Sequence, residues 1–242
     1  MAQIFGGKRQ KQVKLSVVIS VYQSHEIVRR QLLHFKKMDL PVEIIIIDDH
    51  SNPPIEGARA RTENKLAWTQ GLGRNLGASL AGGEYLFMTD IDHILSKEAI
   101  EDALNFTGNK MIFRRQIGIL DEEGNVRQDK ETLMDWGWES DKLDASVHGN
   151  TWVMPKEIFD KLGGYSKRAC TWGYHPASRK GDDCDFNHKW NRAFAGTSLV
   201  MGRDIYMFPI GRFHAKGDLN PKGLFHSLHH EQIVSYKGDE KE

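Results

Sequence analysis

Two carboxylates one residue apart, Asp90 and Asp92, close a short apolar run at residues 85–88. Acidic groups this close repel each other unless a cation lies between them. Hard oxygen ligands of this kind suit Mg²⁺ or Mn²⁺, with coordination positions left over for phosphate oxygens. The apolar run itself reads as a buried strand of a parallel sheet. In open α/β sheets ligands collect beyond the carboxyl ends of the strands, where these two aspartates fall. An isolated Asp-x-Asp is also common in solvated turns, so the surrounding pattern decides its meaning. Two more acidic clusters share the placement: Asp48-Asp49 after the run at 42–47, and Asp182, Asp183 and Asp185 ahead of a helical pattern.

The elements that must position these groups follow from periodicity. Residues 15–22 are rich in β-branched side chains and form the expected first strand. Ser24 is placed to cap the next helix, with Glu26 in its first turn. Val28, Leu32 and Phe35 give that helix an apolar face, and Pro41 breaks it before the second strand at 42–47. Strand, helix, strand at this spacing makes a right-handed parallel unit. A helix at 71–81 places Leu72, Leu76 and Leu80 on one face, and its small residues imply close packing on the sheet or close approach to a ligand. Further elements are a helix from Ser96, a strand at 110–117, a turn at 121–125, a strand at 148–154 and a helix from Pro155. A helix carrying Phe186, Trp190 and Phe194 follows, then two short strands ending near His214. Residues 129–146 resist assignment.

Composition narrows the class. The 242 residues hold 33 basic and 33 acidic side chains, which argues against a nucleic-acid binder that relies on a bulk positive field. Cys170 and Cys184 make neither a zinc pattern nor a disulfide framework. The polar, basic segment 1–13 lacks a signal peptide's apolar stretch, and no segment approaches the ~20 apolar residues of a membrane span. A soluble, cytoplasmic protein is expected. The anticipated organisation is a flexible terminus at 1–13, one domain over 14–222 whose nucleotide-binding and acceptor lobes meet near 146, and a C-terminal helix and tail at 223–242.

Read together, LSVVISVY, IIIIDDHS, GRNLGASLAGGEYLFMTDID and GNTWVMPKEIFDKLGGY…GDDCDF resemble glycosyltransferase family 2 over roughly residues 14–215. The second half is similar to galactosyltransferase-type members. The resemblance implies a Rossmann-like A-type nucleotide-sugar transferase fold, α/β with a mostly parallel sheet. The implied activity is inverting transfer of a sugar from a nucleotide-diphosphate donor, UDP-sugar favoured, to a hydroxyl of a glycan or other acceptor. By the same likeness Ser20, Tyr22, Asp48 or Asp49, and Arg74 border the donor. Asp90 and Asp92 hold Mn²⁺ or Mg²⁺ and the ribose, and His214 completes the metal site. Asp183 is the implied general base, while Asp182, Trp172, Gly149 and Asn150 face the acceptor. Asp182 stands where the family has Glu. Ordinary helix capping also explains carboxylates at a helix start, and Asp185 is the one best placed for it. Trp136 and Trp138 are a second possible sugar platform beside Trp172 and Tyr174.

Two rivals use the same residues. A haloacid-dehalogenase-like phosphatase has an Asp-x-Asp nucleophile motif, but on its first sheet strand, and here two strands precede Asp90. A non-catalytic nucleotide-sugar binding module would keep the fold without needing every acidic position.

Overall fold

The computed structural model describes residues 13–63, 70–145, 147, 149–167 and 182–209. Eleven strands and six helices are defined among them. In chain order the first half runs β1 (Leu15–Val21), α1 (His25–Met38), β2 (Glu43–Asp48), β3 (Ala60–Arg61), α2 (Gln70–Leu80), β4 (Tyr85–Thr89), β5 (His93–Ile94) and α3 (Lys97–Asn105). Then come β6 (Met111–Ile117), β7 (Ile119–Leu120), β8 (Val126–Arg127), α4 (Lys130–Asp135), β9 (Asp144–Ala145), β10 (Trp152–Pro155), α5 (Lys156–Lys161), α6 (Asp182–Ala193) and β11 (Val200–Met207).

Nine strands form one sheet in the order β3-β2-β1-β4-β10-β6-β11-β5, with β9 added on β6. Its first four strands are parallel, as are β6 and β11. All seven residues of β1 are buried, which is why apolar side chains occupy both of its faces instead of alternating with exposed polar ones. Successive side chains still take opposite faces. Val17 and Ile19 join Phe35, Phe87, Ile100 and Phe113 on one side, while Val18 joins Ile45, Ile47, Met88, Trp152 and Phe186 on the other.

Several sequence expectations change in the folded chain. The strand expected at 148–154 is shorter and pairs antiparallel with both neighbours, β4 and β6. An apolar run carries no direction, because either polarity satisfies its backbone. Residues 129–146 contain α4 and β9, and Asp129 caps α4 by accepting from the Thr132 amide at 3.0 Å. Trp136 is buried against Phe208 and Trp138 packs on the same cluster, so this pair is core rather than a sugar platform. Ser24 occupies the N-cap of α1 but makes no capping bond; its hydroxyl donates to the Tyr22 carbonyl instead.

The leucine stripe of α2 is only half buried, with Leu72 and Leu76 packed at the edge of the core. Gly71, Gly73, Arg74, Gly77 and Ala78 are buried, whereas Leu80 is exposed. A Cβ on Gly77 would lie 2.3 Å from Val18 Cγ1, and one on Gly73 would lie 2.2 Å from Ser20 Oγ. The glycines let the helix backbone approach β1 more closely than any larger residue allows. Of the two short strands expected up to His214, the described residues show the eight-residue β11, and the stretch after 209 lies outside them.

Candidate active site

Parallel register brings the acidic clusters to one sheet edge. Val21 pairs with Asp48 across β1 and β2, and Ile19 pairs with Thr89 across β1 and β4. The three strands therefore end together, and Ser20, Tyr22, Asp48, Asp49, Asp90 and Asp92 sit on the same rim. Because β10 runs the other way, with Trp152 opposite Met88, the residues before it, Thr151, Asn150 and Gly149, arrive at that rim from the opposite direction.

Asp48 and Asp49 are both buried but differ in employment. Asp48 accepts from the Ser51 amide at 2.8 Å through Oδ1 and from the Ile55 amide at 3.2 Å through Oδ2. Arg61 Nε stands 3.4 Å from that second oxygen. Both oxygens thus hold the turn after β2 in shape. Asp49 accepts from Thr62 Oγ1 at 3.1 Å through Oδ1.

The helix α2 delivers two donors to Asp90. Arg74 Nη2 donates to Asp90 Oδ1 at 2.6 Å, and Gln70 Nε2 donates to the same oxygen. Arg74 Nη1 donates to the Tyr165 hydroxyl at 2.9 Å. Arg74 is 1% exposed. Burial alone works against its charge, but Tyr165, Asp90 and Asp182 outweigh that and keep the guanidinium firmly protonated. Burial pushes the Tyr165 hydroxyl up to about 12; Arg74 opposes the rise and Asp182 and Asp90 add to it. Tyr165 is therefore a neutral phenol at any physiological pH. Asp182 completes this group: a Cβ on Gly71 would lie 2.5 Å from its Oδ2, so α6 begins directly against the start of α2.

Asp90, Asp92 and His93 are all buried, and each offers a ligand atom within 4.8 Å of the others. The two carboxylates suit Mn²⁺ or a similar divalent ion. Both nitrogens of the imidazole are engaged within the protein, so in this arrangement His93 borders the carboxylates rather than offering a lone pair beside them. Arg115 Nη1 donates to His93 Nε2 at 3.2 Å, and a guanidinium has only hydrogens to give. The ring proton is thereby assigned to Nδ1, which donates to Thr151 Oγ1 at 2.5 Å. His93 Nδ1 also lies 3.9 Å from Asp90 Oδ2.

At the start of α6, Asp182 Oδ1 accepts from the Asp183 amide at 2.9 Å and Asp183 Oδ1 accepts from the Cys184 amide at 2.7 Å. Asp185 makes an ion pair with Lys189 at 3.3 Å one turn on. Asp182 and Asp183 thus each hold the next residue's amide in the first turn, whereas Asp185 pairs with Lys189.

The sequence model of glycosyl transferase family 2 matches residues 16–163, from β1 through the end of α5. The chain belongs to this family. A curated relative in the family's neighbourhood, the poly(ribitol-phosphate) β-N-acetylglucosaminyltransferase TarP of Staphylococcus aureus (strain N315), is 28% identical over 166 residues. That alignment takes in 61% of this chain and 50% of TarP, so the chain spans about half the length of the curated relative it matches. Among solved structures, S. aureus TarS 1-349 superposes with a TM-score of 0.50 at 16% identity, covering 81% of this chain and 61% of that one. TarS 1-349 in complex with UDP gives 0.51 at 15% identity, covering 82% and 61%. These likenesses fix the fold: the mixed sheet with flanking helices is that of the A-type glycosyltransferases.

Within this family-2 fold most of the expected site residues meet at one edge: Ser20, Tyr22, Asp48, Asp49, Arg74, Asp90, Asp92, Gly149, Asn150, Asp182 and Asp183. Trp172 and His214 lie outside the described residues. Four neighbours escaped the sequence reading: Gln70, His93, Thr151 and Tyr165. His93 directly follows Asp92, and its adjacency to the Asp-x-Asp pair was the available signal. Thr151 and Tyr165 carry no such signal, because only the antiparallel return of β10 and the packing of α2 bring them to Asp90.

Proposed function

We propose that this chain is an inverting glycosyltransferase that moves a sugar from a UDP-sugar to an acceptor hydroxyl with help from a divalent cation. The observation that carries the reading is the buried gathering of Asp90, Asp92 and His93 beside the Arg74–Tyr165–Asp182 group at the carboxyl ends of β1, β2 and β4. Ser20 Oγ, buried and without a hydrogen-bond partner among the described residues, borders the nucleotide with Tyr22. Asp48, which also holds its turn through both oxygens, or Asp49, which also accepts from Thr62, accepts from the nucleobase. Asp90 and Asp92 would hold Mn²⁺ or Mg²⁺, which would supply positive charge opposite the diphosphate leaving group.

Gly149, Asn150 and Asp182 line the acceptor side. Asp183, with one carboxylate oxygen held by the Cys184 amide, takes the proton of the acceptor hydroxyl. The acceptor oxygen bonds to the anomeric carbon, the bond from that carbon to the diphosphate breaks, and UDP departs. A single displacement on the opposite face inverts the anomeric configuration. A cytoplasmic location suits a nucleotide-sugar donor, and no helix among the described residues is long and apolar enough to cross a membrane. The names of the relatives make UDP-N-acetylglucosamine and poly(ribitol phosphate) the first donor and acceptor to try.

UDP with Mn²⁺ should raise the unfolding temperature by mass action, about 2.7 kcal/mol of stabilisation at a hundredfold excess over Kd. Asp92→Ala should abolish the shift. Equal UDP affinity in excess chelator would contradict the metal-assisted reading.

A further inference from the structure

We propose that Lys110 is a positioning residue for transfer: its ammonium fixes the rotation of α6 about its own axis, and so the direction in which Asp183 points. The inference rests on the reading of Asp183 as the base. Lys110 lies just before β6 and is 4% exposed. Its Nζ donates to Asn187 Oδ1 at 3.1 Å and stands over the rings of Trp190 at 5.2 Å and Trp152 at 6.0 Å. Asp183, Asn187 and Trp190 are spaced i, i+4 and i+7, one stripe of a helix. The ammonium therefore grips two members of the stripe whose third member is the proposed base. Asn187 faces the acceptor side as well, since a Cβ on Gly149 would lie 2.8 Å from its Nδ2. One carboxamide thus joins the lysine to the rim.

Elsewhere α6 is tied at Lys189, a residue off the Asp183 stripe, whose Nζ donates to the Gly164 carbonyl at 2.9 Å, and otherwise it rests on stacked rings. Phe186 lies flat on Trp152, with ring centroids 5.3 Å apart and planes 13° apart, and on Tyr165 at 4.7 Å and 23°. Stacked aromatic faces slide at small cost, whereas a hydrogen bond and two cation–π contacts fix an angle. The charge is retained against the interest of the fold. Among the described residues no carboxylate pairs with Lys110, and burial lowers its pKa to about 8. An apolar side chain of similar length would fill the space without that penalty, so a purely structural role predicts a stability loss on removal and a positioning role does not.

The test uses Lys110→Met, Lys110→Arg and Asp183→Asn, assayed for UDP release from UDP-N-acetylglucosamine with Mn²⁺ and poly(ribitol phosphate), with thermal unfolding and amide exchange on the same preparations. Lys110→Met should lower kcat roughly 10- to 100-fold, as small misplacements of catalytic groups do. Its donor KM should stay near wild type, and its unfolding temperature at pH 7 should be equal or higher. Amide exchange should quicken over residues 183–194 alone. Lys110→Arg, which keeps a donor and a cation, should restore most of kcat. An unchanged kcat, a kcat loss matched by a fall in unfolding temperature, or unchanged exchange in α6 would each overturn the proposal. If Asp183→Asn transfers at the wild-type rate, the base assignment fails instead, and the exchange measurement still judges Lys110.

Discussion

Neighbouring acidic residues on α6 do different work, and single substitutions separate them. Asp183→Asn keeps size and most hydrogen bonding but cannot accept a proton. Transfer should drop by about 10² to 10⁴ with UDP binding near wild type by thermal shift; wild-type transfer would place the base elsewhere. Asp185 faces Lys189 in a part-exposed ion pair, so Asp185→Asn should cost less than about 1 kcal/mol and leave transfer intact. Arg74 is the opposite case, a buried cation shared by Asp90, Tyr165 and Asp182. Its removal strands buried carboxylate, and Arg74→Ala should lose about 3–5 kcal/mol in urea unfolding. Arg74→Lys should recover only part, because a single ammonium cannot reproduce the fork that reaches Asp90 and Tyr165 together. Full recovery by lysine would show that charge alone matters there.

Helix α2 approaches the sheet because it presents glycines to it. Alanine is a better helix former than glycine by about 1 kcal/mol, so Gly77→Ala in an exposed helix would stabilise. Here the new methyl meets Val18 Cγ1 at 2.3 Å, and a β-branched side chain in a buried strand has little freedom to move. Overpacking should win, with a net loss of about 1–3 kcal/mol in urea unfolding; a gain in stability would mean that α2 shifts without resistance. Helix starts offer a parallel comparison. Ser96 caps α3, accepting from the Ala99 amide at 3.0 Å and donating to the Asp204 carbonyl at 2.9 Å, whereas Ser24 makes no capping bond. Ser96→Ala should therefore cost about 1 kcal/mol or more, and Ser24→Ala distinctly less.

For the molecule as a whole, Lys110 sets an alkaline signature. Its pKa falls from 10.5 in the unfolded chain to about 8 in the fold. Below pH 8 the lysine is charged in both states and its full burial cost is present. Between about 8 and 10.5 the unfolded chain binds more protons, so stability rises with pH across that window. The relief is on the order of 3 kcal/mol. Trp152, Trp190 and Asn187, its contacts from β10 and α6, do not titrate there. The stability gap between wild type and Lys110→Met should therefore narrow from pH 7 to pH 10, and a constant gap would refute the buried, charged assignment.

The sequence by itself determined the α/β class, the strands that carry the acidic clusters and the meeting of those clusters at one edge. Parallel strands joined by helices end on the same side, so residues following each apolar run must converge whatever the packing details. The resemblance to family 2 added which chemistry that convergence serves. Side-chain commitments were decided only by tertiary structure. Asp48 and Asp49 are equivalent on paper, and the turn at 51–55 separates them by supplying amides to one. The leucines of α2 outweigh its glycines in hydrophobicity, yet close approach to β1 buries the glycine face. Polarity of β10 is invisible in an apolar run, and it is what carries Thr151 to His93 and Asn150 to the rim. Lys110 read as the polar start of a strand; only the packing of α6 across β10 and β6 buried its ammonium between two indoles, because contacts between distant segments have no signature in local spacing.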